Sequence, residues 1–267
     1  MVKIDGHVHT LFCPHGSNDD FILYIEQAIK NGFQSISFTE HAPLPEGFID
    51  PTPEKDSAMP LEKLDDYIHQ LKELKREFKN DIEIKIGLEV DFITGYEKET
   101  EKLLNDYGPE LDDGILSVHF LKALDKYYCL DFDAETFERL IHLTGGVTNV
   151  YQLYFHTVWQ AVVSDLGLYK PKRLGHLTLV RKFQKLFPEN NSHYYWIEKI
   201  FHEMAKRDME LDVNVAGLRK EYCGEIYPPK YIIQMATQQK IPLVYGSDAH
   251  SAKDVGANYD DFLKAIL

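Results

Sequence analysis

Residues 2–15 read VKIDGHVHTLFCPH, a short apolar run followed at once by three histidines and a cysteine. Residues 2–5 suit a strand, and His7 and His9 have the i, i+2 spacing that points two side chains of an extended chain to the same side. Three explanations fit this stretch: a metal site, a thiol nucleophile activated by histidine, or an expression scar. The rest of the chain must decide among them.

The same order, a β-rich run and then a metal-binding side chain, recurs along the chain. Strands are predicted at residues 2–5, 35–39, 82–88, 114–118, 173–175, 210–215 and 241–245. The longer segments between them are predicted to be helices, the last of them at residues 253–267. Residues 61–79 carry the apolar stripe of an amphipathic helix. Such alternation favours a parallel sheet, either a barrel or an open doubly wound sheet.

Histidines and acids fall at or just after the carboxyl ends of these predicted strands. In parallel α/β folds the loops after the strands gather on one face, where ligands and catalytic groups collect. We therefore predict one cleft that contains His7, His9, His15, His41, Glu89, His119, His176, Asp248 and His250. So many imidazoles and carboxylates exceed what one ion coordinates, which predicts two or three divalent ions of zinc, iron or manganese.

Composition narrows the functional class. The chain has 267 residues, no apolar run of about 20 residues and no signal-peptide pattern, so we expect one cytoplasmic domain over residues 1–267 and no membrane partner. Three widely spaced cysteines argue against a disulfide framework. A net charge of −14 disfavours nucleic acid as a partner. An anionic substrate would need local positive charge, which a metal cluster supplies.

Three further features bear on the predicted cleft. Arg173 and Arg219 lie at the ends of predicted strands, and a guanidinium binds phosphate oxygens in bidentate fashion. Cys13 precedes a proline and its neighbouring histidines are already assigned to metal, which disfavours a thiol nucleophile. The proline-rich segment 42–60 is long for a loop and is predicted to be a lid, with Phe48 available for stacking.

The chain resembles the PHP (polymerase and histidinol phosphatase) phosphoesterases over about residues 3–256. The resemblance rests on His7-Val-His9, His15, Glu40-His41, Glu89, Ser117-Val-His119, Gly175-His176 and Ser247-Asp-Ala-His250. Segments 173–183 (RLGHLTLVRKF) and 212–220 (DVNVAGLRK) resemble the histidinol phosphatase branch of that family. The resemblance implies an α/β fold, the distorted (β/α)7 barrel of the PHP type.

The resemblance also implies a distribution of ligands over three ions. One ion would be held by His7, His9, Glu89 and Asp248, a second by Glu89, His119 and His176, and a third by His15, His41 and His250. Glu89 would bridge the first two ions. Family members often have an acid at the position of Thr178 and an Asp at the position of His15. Neither difference changes the bridging carboxylate, Glu89.

The implied reaction is hydrolysis of L-histidinol phosphate to L-histidinol and phosphate, a step of histidine biosynthesis. A water activated by the metals would attack phosphorus in line, while Arg173 and Arg219 bind the phosphoryl oxygens. Asp248 and His250 are the predicted donors of a proton to the leaving alkoxide.

Three other functions stay open on the sequence. A PHP phosphoesterase acting on another small phosphate ester is the nearest of them. A 3′–5′ exonuclease acting on a nucleic-acid end is disfavoured by the acidic balance. A non-catalytic metal-binding protein, from a different class, would need the same ligands but no arginines for phosphate.

Overall fold

A computed structural model of the chain describes residues 2–267. The strands in this part of the chain are β1 (Ile4–Val8), β2 (Ser35–His41), β3 (Glu83–Asp91), β4 (Asp113–Ser117), β5 (Phe120–Ala123), β6 (Lys126–Cys129), β7 (Arg173–Leu174), β8 (Glu210–Asn214) and β9 (Leu243–Gly246). The α-helices are α1 (Phe21–Lys30), α2 (Leu64–Glu77), α3 (Glu97–Tyr107), α4 (Ala134–Thr144), α5 (Val147–Val163), α6 (Tyr194–Lys206), α7 (Lys230–Gln238) and α8 (Tyr259–Ile266).

The main sheet of residues 2–267 contains seven parallel strands in the order β1-β2-β3-β4-β7-β8-β9. Its two edges meet, because Asp248 N–H donates to His7 O at 2.8 Å and His9 N–H donates to Ala249 O at 2.9 Å. The sheet is therefore a nearly closed barrel with helices around it. This confirms the predicted (β/α)7 barrel and rules out the open, doubly wound alternative.

The strands and helices follow from their local sequence. All seven residues of β2 are buried, as expected of a parallel strand covered on both faces. Helix α2 buries Leu64, Tyr67, Ile68 and Leu71, which lie on one face at helical spacing. Helix α4 begins where the Asp133 carboxylate accepts a hydrogen bond from Thr136 N–H, a favourable N-cap.

Two elements differ from the sequence-based expectation. The antiparallel hairpin of β5 and β6 was not predicted, and its turn includes Leu124 at a φ of 55° instead of a glycine. The last helix was predicted at residues 253–267 but begins only at Tyr259. Gly256 and Asn258 both have positive φ just before it, which breaks helical geometry.

The barrel places the carboxyl ends of its strands at one rim, and the loops that follow them form the walls of a cavity. The hairpin and the segment 42–60 both contribute to this cavity. Within residues 2–267, every helix is too short or too polar to cross a membrane.

Candidate metal centre

Glu89, near the end of β3, lies between two pairs of histidines. Its Oε2 atom is 3.4 Å from the Nε2 atoms of both His7 and His9. Its Oε1 atom is 2.8 Å from His176 Nε2 and 3.7 Å from His119 Nε2. The two oxygens of one carboxylate thus face two separate groups of ligands, as a bridge between two ions requires.

The first group contains His7, His9 and Glu89, which are almost completely buried. The Nε2 atoms of His7 and His9 are only 3.2 Å apart, because β1 points both side chains to the same side. Asp248, in the loop after β9, adds a carboxylate whose Oδ1 is 3.4 Å from His9 Nε2. These four residues are the ones expected around the first ion.

The second group contains Glu89, His119 and His176, from the ends of β3, β4 and β7. Their ligand atoms lie within 4.8 Å of one another although the residues are far apart in sequence. Glu89 Oε1 also accepts a hydrogen bond from Ser117 Oγ at 2.6 Å, which fixes the rotamer of the carboxylate. The barrel therefore also brings together the side chains that were predicted to bind the second ion.

Carboxylates behind the histidines orient the imidazole rings. His7 Nδ1 is 3.0 Å from Asp212 Oδ2, His9 Nδ1 is 3.2 Å from Glu40 Oε1, and His119 Nδ1 is 2.8 Å from Asp91 Oδ1. Such contacts leave Nε2 of each ring free to bind a metal. Asp91 and Asp212 were missed by the sequence reasoning, although Asp91 follows Glu89 at the i, i+2 spacing that marks one face of a strand.

The third group differs from the expected one. It contains His9, Cys13, His41 and His250, whose ligand atoms lie within 4.8 Å of one another. His15, expected here, is exposed at the rim, with its ring 5.4 Å from that of His41 and 5.7 Å from that of His250. His15 lines the cavity but belongs to none of the three tight groups.

The charges of the cluster suit cation binding. Burial alone would lower the pKa of His7, but the carboxylates of Glu89, Asp212 and Asp248 raise it to about 10. Burial alone would raise the pKa of Glu89, but His7, His119 and His41 hold it well below its ordinary value. Burial, reinforced by His9, lowers the pKa of His250 to about 3. Glu89 and Asp248 are therefore ionised and His250 is neutral, whereas His7 must give up a proton when an ion binds.

The donor set fits divalent ions. His41 Nδ1 and His176 Nδ1 are buried and make no hydrogen bond within the described residues. The Nε2 atoms of His7 and His9 also face each other. Their lone pairs repel unless a cation or a proton lies between the two nitrogens. Imidazole nitrogens and carboxylate oxygens are ligands that zinc, iron and manganese accept.

The metal groups form the floor of a cavity of about 460 Å³. Three cationic side chains line its wall and carry positive charge beyond the expected ions. Arg219 donates to Ser247 O at 2.7 Å, Lys182 Nζ is 3.0 Å from Asp131 Oδ2, and Lys220 is the third. Lys182 was missed as a site residue, although it lies six positions after His176 in segment 173–183.

Arg173 does not lie in this cavity, contrary to the expectation that it binds phosphate. It begins β7, so its side chain is at the end of the strand away from the metal groups, and it is 4% exposed. The guanidinium pairs with Asp113 and donates to Gly6 O. Arg173 and His176 are only three positions apart, but Arg173 lies at the start of β7 and His176 follows its end.

The segment 42–60 covers one side of the cavity, where Thr52, Asp56 and Ser57 line it. Asp50 holds this lid together, because its carboxylate accepts hydrogen bonds from Thr52 and Ser57. Phe48, expected to be available for stacking on a ligand, instead packs against Tyr96, Phe120 and Tyr127 with ring centroids 5.1–5.3 Å apart. It therefore anchors the lid to the hairpin.

Comparison with known proteins agrees with this geometry. Residues 5–216 match the PHP domain family. The chain is 51% identical to the histidinol-phosphatase of Bacillus subtilis (strain 168), covering 99% of both chains, and 34% identical to a probable histidinol-phosphatase of Deinococcus radiodurans, covering 98% of this chain and 92% of the relative. A solved structure from Listeria monocytogenes, provisionally assigned as the histidinol phosphatase hisK, superposes with a TM-score of 0.93 at 41% identity, covering 97% of this chain and all of that one.

Proposed function

The chain belongs to the PHP domain family, and from this premise we propose that it is a histidinol-phosphatase, which hydrolyses L-histidinol phosphate to L-histidinol and phosphate in histidine biosynthesis. The structural observation that carries the proposal is the two-sided environment of Glu89, whose oxygens face separate histidine pairs. A relative that is 51% identical along its whole length supports the choice of substrate.

Divalent metal ions are the cofactors of this enzyme. We assign His7, His9, Glu89 and Asp248 to one ion and Glu89, His119 and His176 to a second, with His41, His250 and the nearby His15 for a third. When bound, such ions polarise phosphoryl oxygens and make water nucleophilic near neutral pH. The buried carboxylates Asp91, Asp212 and Glu40 hold the histidine rings in place for this role.

The phosphate group of the substrate needs cationic partners from the chain. Arg219 and Lys182 both line the cavity, and they replace the predicted pair of Arg173 and Arg219. Arg219 Nη2 donates to Ser247 O and Asp248 O, which leaves Nε and Nη1 for phosphoryl oxygens. Water adds to phosphorus as the ester P–O bond breaks, and these cations balance the charge on the phosphoryl oxygens.

The leaving alkoxide must take up a proton. Asp248 and His250 remain the proposed donors because both line the cavity. Since Asp248 is ionised and His250 is neutral, the proton that they pass to the alkoxide is the one that the attacking water loses. Asp248 Oδ2 accepts a hydrogen bond from Asn214 Nδ2 at 3.1 Å, which leaves Oδ1 directed at His9. His250 Nδ1 is 3.2 Å from the carbonyl oxygen of Asp248, so the two residues hold each other in position.

The organic end of the substrate carries an ammonium group and an imidazole ring. Asp131 is paired with Lys182, and Asp254 accepts a hydrogen bond from Ser251, so both of these cavity carboxylates already have partners. Asp56, on the lid, has no hydrogen bond or ion pair to any of residues 2–267. We assign Asp56 to the ammonium group, since a carboxylate with no competing partner binds a cation most strongly.

A steady-state comparison of L-histidinol phosphate with a panel of small phosphomonoesters tests the proposed substrate. We expect kcat/KM to be highest for L-histidinol phosphate and all activity to disappear on chelation. If L-histidinol phosphate had no advantage, the substrate would be wrong while a metal-dependent phosphoesterase would remain. A protein that bound metal but turned over none of the esters would contradict the enzyme itself.

We further propose that residues 1–267 form one domain and that the enzyme is cytoplasmic. Closure of the barrel between β1 and β9 supports a single domain, because the first and last parts of the chain build the same site. Three unpaired cysteines support a reducing compartment. Fractionation of cells that express the tagged protein would test the location.

A further inference from the structure

We propose that Cys13 is a metal ligand, binding as a thiolate together with His41 and His250 at the third metal position, which would then favour a thiophilic ion such as Zn²⁺. This inference rests on the proposed metal-dependent function and adds a sulfur ligand to the third metal position. It also changes the interpretation of the sequence, where Cys13 was considered only as a nucleophile.

The first argument is the geometry of the group. The ligand atoms of His9, Cys13, His41 and His250 all lie within 4.8 Å of one another. The ring of His9 is 4.3 Å from that of His41 and 4.1 Å from that of His250. Since His9 Nε2 already faces Glu89 and Asp248, His9 belongs to the first ion. Cys13, His41 and His250 remain for another ion, and His15, whose Nδ1 is 3.6 Å from the Cys13 sulfur, lies next to its fourth position.

The second argument is burial. Cys13 is 4% exposed and His41 is 8% exposed, whereas His15, two residues from Cys13, is exposed. His41 Nδ1 is buried without a hydrogen-bond partner among the described residues, although it lies 3.2 Å from Glu89 Oε2. A buried imidazole nitrogen that makes no hydrogen bond is costly unless it binds an ion, and Cys13 belongs to the same tight group as His41.

The third argument is that the backbone holds Cys13 in place. Its N–H donates to Thr10 O at 3.1 Å, and its carbonyl oxygen accepts from Gly16 N–H at 3.0 Å. Thr10 is in turn bound to Glu40 Oε2 through its N–H and its hydroxyl, at 2.9 and 2.6 Å. Glu40 also holds His9 Nδ1, so one carboxylate fixes both the turn and the neighbouring ligand.

Sulfur changes which ions the position accepts. Thiolate is a soft ligand that favours zinc or iron over magnesium and manganese. The thiol gives its proton to solvent as the metal–sulfur bond forms, so binding adds one negative charge beside Glu89 and Asp248. That charge offsets part of the positive charge that a third divalent ion brings into the cluster.

Cobalt substitution tests the assignment without measuring activity. Wild-type protein loaded with Co²⁺ should show a near-ultraviolet thiolate-to-cobalt charge-transfer band, which the Cys13→Ser variant should lack. Cys223→Ser is the matched control, because Cys223 is also buried but belongs to none of the metal groups and should leave the band intact. A wild type without the band, or a Cys13→Ser variant that keeps it, would overturn the proposal.

A second measurement works even if Cys13→Ser fails to fold. X-ray absorption of the zinc-loaded wild type should show a sulfur neighbour at about 2.3 Å, and a shell of nitrogen and oxygen alone would refute the assignment. Both spectra are independent of turnover. Failure of the proposed substrate in the kinetic comparison would therefore be distinguishable from failure of the sulfur ligand.

Discussion

Glu89 shows how much of the site depends on a single side chain. Its two oxygens belong to one carboxylate, yet they face different imidazoles. Oε2 faces His7, His9 and His41, and Oε1 faces His119 and His176. An amide of the same shape would keep the hydrogen bond with Ser117 but lose the negative charge. The effect of charge can therefore be separated from that of shape at this residue.

Glu89→Gln should abolish bridging. Loss of an outer-shell carboxylate from a metal site typically costs 10–100-fold in affinity or activity, so loss of the bridging ligand should lower kcat by at least about 100-fold. Metal content per protein, measured by mass spectrometry, should fall in parallel. Glu83→Gln is the control, since Glu83 is exposed at the opposite end of β3. A Glu89→Gln enzyme with normal activity and metal content would contradict the bridging role.

Asp56→Asn should reduce selectivity for the natural substrate. We expect kcat/KM for L-histidinol phosphate to fall about 10-fold or more relative to that for an aryl phosphate without an ammonium group, since one charge-assisted hydrogen bond contributes roughly 1.5–3 kcal/mol. Glu54→Gln removes the same charge from an exposed position on the same lid and should leave the ratio unchanged. Equal ratios in Asp56→Asn and wild type would refute recognition of the ammonium group by Asp56.

Among the elements, β7 is the shortest strand of the barrel and depends on a buried ion pair. Arg173 at its start connects β7 to Asp113 of β4 and to Gly6 of β1, and its Nε is 3.5 Å from Glu210 Oε2 of β8. These contacts connect β7 to three other strands at the end of the barrel away from the metal groups. The side chain therefore serves the fold, although its position in the sequence indicated phosphate binding.

Arg173→Met should destabilise the protein and leave substrate affinity unchanged. Removing one partner of a buried ion pair typically costs about 3–5 kcal/mol, because the other charge remains buried. Urea denaturation measures the loss, and KM of the folded fraction should match that of wild type. Arg219→Met should show the opposite pattern, with a higher KM and nearly normal stability. A raised KM in Arg173→Met without loss of stability would restore its predicted phosphate role.

At the scale of the whole molecule, the metal groups join parts of the chain from β1 to the loop after β9. Bound ions therefore add cross-links inside the barrel, and their removal leaves buried carboxylates and imidazoles facing one another. We therefore expect metal binding to contribute a large share of the free energy of unfolding, in addition to its role in activity.

Chelation should lower the melting temperature. A site saturated at 100 times its dissociation constant stabilises the native state by about 2.7 kcal/mol, which corresponds to roughly 5–10 °C for a chain of this size. Differential scanning calorimetry with and without chelator measures the shift, and added Zn²⁺ should reverse it. The Glu89→Gln variant should respond much less. An unchanged melting temperature in metal-depleted wild type would argue against ions in the barrel.

The sequence by itself determined the class of fold and most of the side chains of the proposed metal groups, because both follow a local rule: a buried strand, then a metal-binding side chain at its carboxyl end. That rule placed His7, Glu89, His119, His176 and Asp248 at one rim before any coordinates were known. It also predicted the seven barrel strands to within a few residues.

Only the tertiary structure decided which side chains near that rim actually reach the cavity. It moved Arg173 to the far end of the barrel, brought Lys182 to the cavity wall, and placed Cys13 inside a ligand group with His15 at the rim. The physical reason is that direction and burial depend on contacts between distant segments, such as Arg173 with Asp113 and Thr10 with Glu40. The spacing of residues along the chain does not predict such contacts.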